Sequence, residues 1–201
     1  MNAFYNTQGV GDVLMVQLVP DTPEEIKTET FGDVTLIRDA ASGEVSGFNL
    51  FRASEYVKPE GQGKVEADEA FLDQLKEAFT KNGAEFSFDV DLSPKFVVGF
   101  VTSKEKHPNA DKLSVCKVDV GTETLQIVCG APNVEEGQHV VVAKPGAVMP
   151  SGMVIKDAEL RGVPSSGMIC SAKELALPDA PQEKGILVLG GEQAPGEPFR
   201  F

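Results

Sequence analysis

From Phe96 onward the chain is cut into short apolar runs separated by turn-forming residues, and this rhythm limits the fold more than any other feature. The runs are Phe96 to Thr102, Leu113 to Val120, Leu125 to Cys129, His139 to Ala143, Val154 to Leu160, Gly167 to Cys170 and Ile186 to Leu189. None is long enough to make one face of a helix, and Val and Ile recur in them. Gly, Pro, Asn and Asp fill the gaps. Several short strands at close spacing specify a small barrel or sandwich. A five-stranded oligonucleotide-binding (OB) barrel with extra C-terminal strands fits the count.

The preceding residues read differently. Val13 to Val19 is almost continuously apolar and stops at Pro20, which predicts a strand covered on both faces. Val34 to Arg38 and Val45 to Phe51 flank a turn containing Ala41-Ser42-Gly43, a hairpin pattern. Pro59 to Gly63 reads as a loop. Over Ala67 to Lys81, the residues Phe71, Leu72, Leu75, Ala78 and Phe79 form one helical stripe. Asn82-Gly83 then stops the helix, because glycine accepts the left-handed conformation. These elements predict an N-terminal α+β domain, a small sheet with one helix, over residues 1–92. Asp89 to Lys95 is the expected join, leaving 93–201 for the all-β barrel.

Charge separates the same two parts. Residues 1–94 hold 7 Lys+Arg against 18 Asp+Glu, a net of −11, and residues 95–201 hold 11 against 13, a net of −2. The first part repels a polyanion, while lysines of the second can build a local positive face. No run of about 18 apolar residues exists, so no membrane span is expected. The first residues have neither the basic nor the apolar region of a signal peptide, which makes a cytoplasmic protein the expectation. Cys116, Cys129 and Cys170 form no CxxC pair and read as reduced, buried thiols. With His107 and His139 they are too scattered to predict a metal site. No nucleophile-elbow, phosphate-loop or dinucleotide-binding pattern appears, and neither Ser165 nor Ser166 has an evident base partner. Neither a catalytic residue nor a cofactor is expected.

Most of the candidate chemistry lies in KEKHPNADKLSV, residues 104–115. Pro108 fixes its own backbone and pushes His107 toward an extended conformation. Asn109 and Asp111 can bond their own backbone and close a turn. Lys104, Lys106 and Lys112 are not explained by a turn; they read either as a solvated face or as phosphate contacts. His107 can stack on a base or ribose, or bond within the loop.

HPNADKL at 107–113, CKVDVG at 116–121, QIVCGAPNV at 126–134, KPGAVMPSG at 144–152, LRGVPSSGMICS at 160–171 and KEL at 173–175 follow one another in a family's order. Together they resemble the tRNA-binding domain that occurs free-standing and appended to aminoacyl-tRNA synthetases, including the β subunit of bacterial phenylalanyl-tRNA synthetase. GDVLMV at 11–16 and GFNLF at 47–51 are similar to the leader domain of stand-alone YtpR-type tRNA-binding proteins. The resemblance implies an OB barrel that binds tRNA by backbone and shape, with HPNADKL in the loop between the first two barrel strands. It makes Lys104, Lys106, His107, Lys112, Asn133, Lys144, Arg161, Ser165 and Met168 the RNA-binding candidates. Ser165 and Met168 belong to an S-x-G-M pattern whose preceding glutamate is Pro164 here. For Met168 the other reading is core packing, and Asn133 can instead cap a short helical turn over 134–136. The phenylalanines after residue 95 are Phe96, Phe100, Phe199 and Phe201, so base stacking is a minor contribution.

The sequence thus predicts a non-catalytic tRNA-binding protein. Its rival is a protein-interaction module on a synthetase-type OB domain that has lost RNA binding. The N-terminal domain is a candidate surface for a protein partner. Oligomeric state stays open; Ile186 to Leu189 can pair across an edge or close the local sheet.

Overall fold

Alternation of apolar and polar residues builds the first sheet. In the computed structural model, which describes residues 1–59 and 62–201, the strands are β1 (Asn2–Tyr5), β2 (Val13–Gln17), β3 (Ile26–Phe31), β4 (Val34–Asp39), β5 (Val45–Phe51) and β6 (Gly63–Val65). Glu60 and Gly61, inside the expected 59–63 loop, lie outside the described residues. The strands form one antiparallel sheet ordered β3-β4-β5-β2-β1-β6. β2 is not covered on both faces as its apolar run suggests. Leu14 and Val16 are buried, whereas Val13, Met15 and Gln17 are half-exposed. β1, β3 and β6 carry no long apolar run, and β3 (IKTETF) is held by its ladder to β4 rather than by burial.

The helix α1 (Glu69–Asn82) lies over one face of this sheet. Asp68 caps it by accepting the Phe71 N–H at 2.8 Å, and Gly83 ends it at φ 68°. All five stripe residues are buried, in one core with Leu14, Leu36, Phe48 and Leu50. Phe86 and Phe88 follow the helix; Phe88 packs edge-on against Phe48 and Phe79 and Phe86 edge-on against Phe88, with neighbouring centroids as close as 4.8 Å. A stretch without regular structure is thereby fastened to the core.

Chain contacts divide the molecule into Met1–Ser93 and Pro94–Phe201. In the second unit the strands are β7 (Phe96–Lys106), β8 (Ser114–Asp119), β9 (Thr124–Cys129), β10 (His139–Ala143), β11 (Asp157–Leu160), β12 (Val163–Ser166), β13 (Met168–Ile169) and β14 (Val188–Leu189). The order β13-β10-β7-β8-β9, with β9 coming back against β12 and β13, is that of a nearly closed OB barrel. β7 runs four residues past the apolar segment, because SKEK continues the ladder to β8. A register shift between Val101 and Ser103 leaves Thr102 outside the ladder, bonded through its hydroxyl to the Lys117 carbonyl at 3.0 Å. Such a bulge bends the strand and lets it serve both sides of a barrel. Gly99 faces the packed interior: a Cβ there would stand 2.6 Å from Val142 and 2.7 Å from Val118.

Cys116, Cys129 and Cys170 are free and buried in the barrel. Burial pushes the Cys116 thiol up to about 11 and Cys170 up to about 12, and raises Cys129 as well. Because the folded values lie above an unfolded thiol at about 8.5, the stabilisation is complete below that pH and fades as pH rises through the folded values. Alkylation at about pH 8 should therefore modify none of the three native thiols and all three in denaturant, and the barrel's melting temperature should fall above about pH 9.

Candidate nucleic-acid interface

The loop between β7 and β8 is closed by backbone first. His107 N–H donates to the Leu113 carbonyl and Leu113 N–H to the Ala110 carbonyl, both at 3.1 Å. Asn109 does not close its own turn. Its side-chain amide donates to the Arg161 carbonyl at 3.1 Å, while its backbone N–H donates to His107 Nδ1 at 3.0 Å. That bond leaves the ring proton on Nε2, 2.9 Å from the Leu160 carbonyl. His107 is buried, its two ring nitrogens joining the 107–113 loop to the turn between β11 and β12. The turn itself is Arg161-Gly162, with φ of 50° and 83°, the successive positive values of a tight hairpin turn. Two loops are thus latched side by side by bonds that span 53 and 52 positions.

This latch gathers some candidate cations and not others. Lys106 and Lys112 are exposed at either end of the 107–113 loop, and the exposed Arg161 sits on the turn latched to it. Lys104 is a strand residue opposite Cys116, and its ammonium pairs with Glu135 at 2.8 Å. Lys144 follows Ala143, which pairs with Phe96 at the start of β7; Lys106 is the last residue of that strand. Lys144 is therefore outside the cluster.

The S-x-G-M segment closes the barrel. Ser165 is buried, and its Oγ accepts the Val128 N–H at 3.0 Å, joining β12 to β9. Gly167 adopts φ 90°, and a Cβ on it would lie 2.9 Å from the Ala143 carbonyl. Pro164 leaves the β11–β12 register intact, and its carbonyl accepts from Gln126 Nε2 at 2.7 Å. Met168 is half-buried opposite Ala143 and lines a groove of about 780 Å³ together with Val128, Ser171, Lys173 and Lys184. Asn133 neither caps a helix nor points free. Its amide accepts the Ile186 N–H at 2.8 Å and donates to the Ile186 carbonyl at 3.1 Å, tying down the C-terminal segment.

Two residues were missed in the sequence. Lys117 Nζ donates to Gln126 Oε1 at 2.9 Å, and Gln126 continues to Pro164, so one polar chain crosses β8, β9 and β12. The signal was there: Lys117 alternates with buried Cys116 and Val118, and Gln126 with buried Leu125 and Ile127, which turns both outward. Among the described residues no cluster of three or more His, Cys, Asp or Glu is placed to hold a metal. No described helix is long and apolar enough to cross a membrane.

A family model described as "Putative tRNA binding domain" matches residues 96–198. The chain belongs to this family. A second model, "Domain of unknown function (DUF4479)", matches residues 21–91. The Bacillus subtilis (strain 168) protein named "Putative tRNA-binding protein YtpR" is 64% identical over 201 residues, covering all of both chains. The phenylalanine–tRNA ligase beta subunit of Staphylococcus haemolyticus (strain JCSC1435) is 49% identical over 134 residues, 62% of this chain but 17% of that subunit. The same subunit of Oleidesulfovibrio alaskensis is 59% identical over 106 residues, 53% of this chain and 13% of the subunit. The chain thus spans under a fifth of the ligase subunits it matches.

Ser165→Ala removes the acceptor for the Val128 N–H. It should destabilise the barrel by about 1–3 kcal/mol in urea unfolding, the cost of stranding a buried donor. A purely surface serine would change stability by less than about 0.5 kcal/mol.

Proposed function

We propose that this chain is a non-catalytic tRNA-binding protein that holds RNA by backbone and shape through the barrel of residues 96–198. The observation that carries the reading is the latch of the 107–113 loop onto the Arg161-Gly162 turn, within a domain of the tRNA-binding family. It gathers Lys106, Lys112 and Arg161 beside the strand face that displays Lys117, and OB barrels bind nucleic acids with their strand 2–3 face and the loops flanking it. The full-length relative named for tRNA binding supports the same reading.

Within this proposal the candidates divide by what their polar atoms already hold. Lys106, Lys112, Lys117 and Arg161 supply phosphate contacts, as exposed cations that need no fixed partner. Lys104 contributes when phosphate displaces Glu135. His107, Asn133 and Ser165 act indirectly, by fixing loops and strands whose backbone meets the RNA. Met168 offers a polarizable surface at the mouth of its groove. Phe100 lies tilted against His139 and Phe96 edge-on to Phe201, which leaves base stacking little part in recognition. Exposed Glu105 and Asp111 lower the local positive charge, so affinity is modest. The acidic first unit limits indiscriminate adhesion to polyanions.

With about 3–5 phosphate contacts, log affinity for tRNA should fall against log salt with a slope of roughly −2 to −4. The combined Lys104→Glu, Lys106→Glu and Lys112→Glu variant should weaken binding at least about tenfold, flatten the slope and leave the fold unchanged by circular dichroism. Mobility shift of purified tRNA at several salt concentrations measures both. Absence of a complex even at low salt would overturn the reading.

A further inference from the structure

α1 seals one face of the N-terminal sheet and leaves the other without a helix. Phe4, Val13, Met15 and Ile37 point away from the helix-side core, belong to no core cluster and are half-exposed. By alternation and register Ile26 and Phe51 share their face, and these are 54% and 42% exposed. Two cross-strand rows run over it: Lys64–Phe4–Met15–Asn49–Thr35–Thr30 and Asn2–Gln17–Gly47–Ile37–Thr28. They contain apolar groups, amides, hydroxyls and, on the edge strand, the exposed Lys64, but no carboxylate. Among the described strand residues the one acid aligned with this face is Asp39, the last residue of β4, at the rim. Residues 1–94 carry 18 Asp+Glu, so their exclusion from the broadest strand surface is a segregation rather than a consequence of scarcity.

We infer that this face binds a second copy of the same chain. A partner chosen for opposite charge would find only Lys64 at one edge and Asp39 at the rim, with nothing charged between them. A two-fold contact sets a patch against itself, so the patch must tolerate its own image. A neutral face with apolar groups along its centre does so, and keeps the carboxylates of two strongly acidic units apart. Six strands about 4.8 Å apart and five residues of about 3.4 Å give a footprint of roughly 24 by 17 Å. A pair then removes on the order of 800–1,000 Å² from water, at the weak end of specific interfaces. Sheets pack face to face about 10 Å apart, comparable to the Debye length near 0.1 M salt, so repulsion between the acidic units weakens as salt rises. Pairing therefore tightens with ionic strength, the opposite of RNA binding.

Sedimentation velocity of the full chain, from about 10 to about 500 µM at low and at roughly 0.5 M salt, tests this. The wild type should form a reversible dimer, favoured by high salt. Met15→Lys should raise its dissociation constant at least about tenfold. Thr35→Arg, at a half-exposed hydroxyl whose replacement spares the core, should do the same with an unchanged melting temperature. A chain that stays monomeric at both salts overturns the inference and gives the face to a different protein. A dimer indifferent to both substitutions overturns it too, by putting the contact elsewhere.

Discussion

Closure of the barrel between β9 and β12 is the contact on which the rest of the second unit depends. A sheet ordered β13-β10-β7-β8-β9 has two edges, and each would expose unpaired backbone groups. Ser165 and Gln126 bring the far strands together, while Gly167 lets the chain pass close to the Ala143 carbonyl with no Cβ in the way. With the barrel closed, the β11–β12 hairpin stands beside the β7–β8 loop, and the His107 and Asn109 bonds become possible. The positions of the lysines and of Arg161 follow from those bonds.

The two units solve different problems of charge. In the first, most carboxylates stand off the sheet's open face, and the core is built from aromatic edges around Phe48 and Phe79. In the second, near neutrality overall lets a few cations dominate locally. Lys104 illustrates the balance: paired with Glu135, it is a held charge, unlike Lys106 two residues on. Glu135 can thereby set how much positive charge the barrel presents.

Much of this was legible in the sequence where burial leaves a period. β8 and β9 were visible because buried residues such as Cys116, Val118, Leu125 and Ile127 recur at every second position, and β10 because Val140 to Ala143 is a continuous apolar run. The helix was visible from its stripe and from Asn82-Gly83. β3 was invisible because hydrogen bonding alone holds it, and SKEK fell outside the apolar run because its side chains are polar while its backbone is in the ladder. The HPNADKL motif marked the site's location but not its wiring. Asn109 looked like a residue serving its own turn and instead serves one fifty-two positions later. Asn133 read as an RNA contact or as a helix cap, and its amide fastens Ile186. Pairings at such separations leave no local pattern, because the residues at both ends are compatible with many turns.

The latch also orders events in time. His107 and Asn109 gain their partners only when Leu160 and Arg161 exist, so a growing chain that has exposed the whole HPNADKL segment still lacks a formed interface. Contacts of this range form late, after the loop entropy between them has been overcome. Ribosome-bound fragments ending before residue 160 would thus carry the lysines without the geometry. Those fragments would emerge into surroundings crowded with RNA while their grip on it is still unassembled.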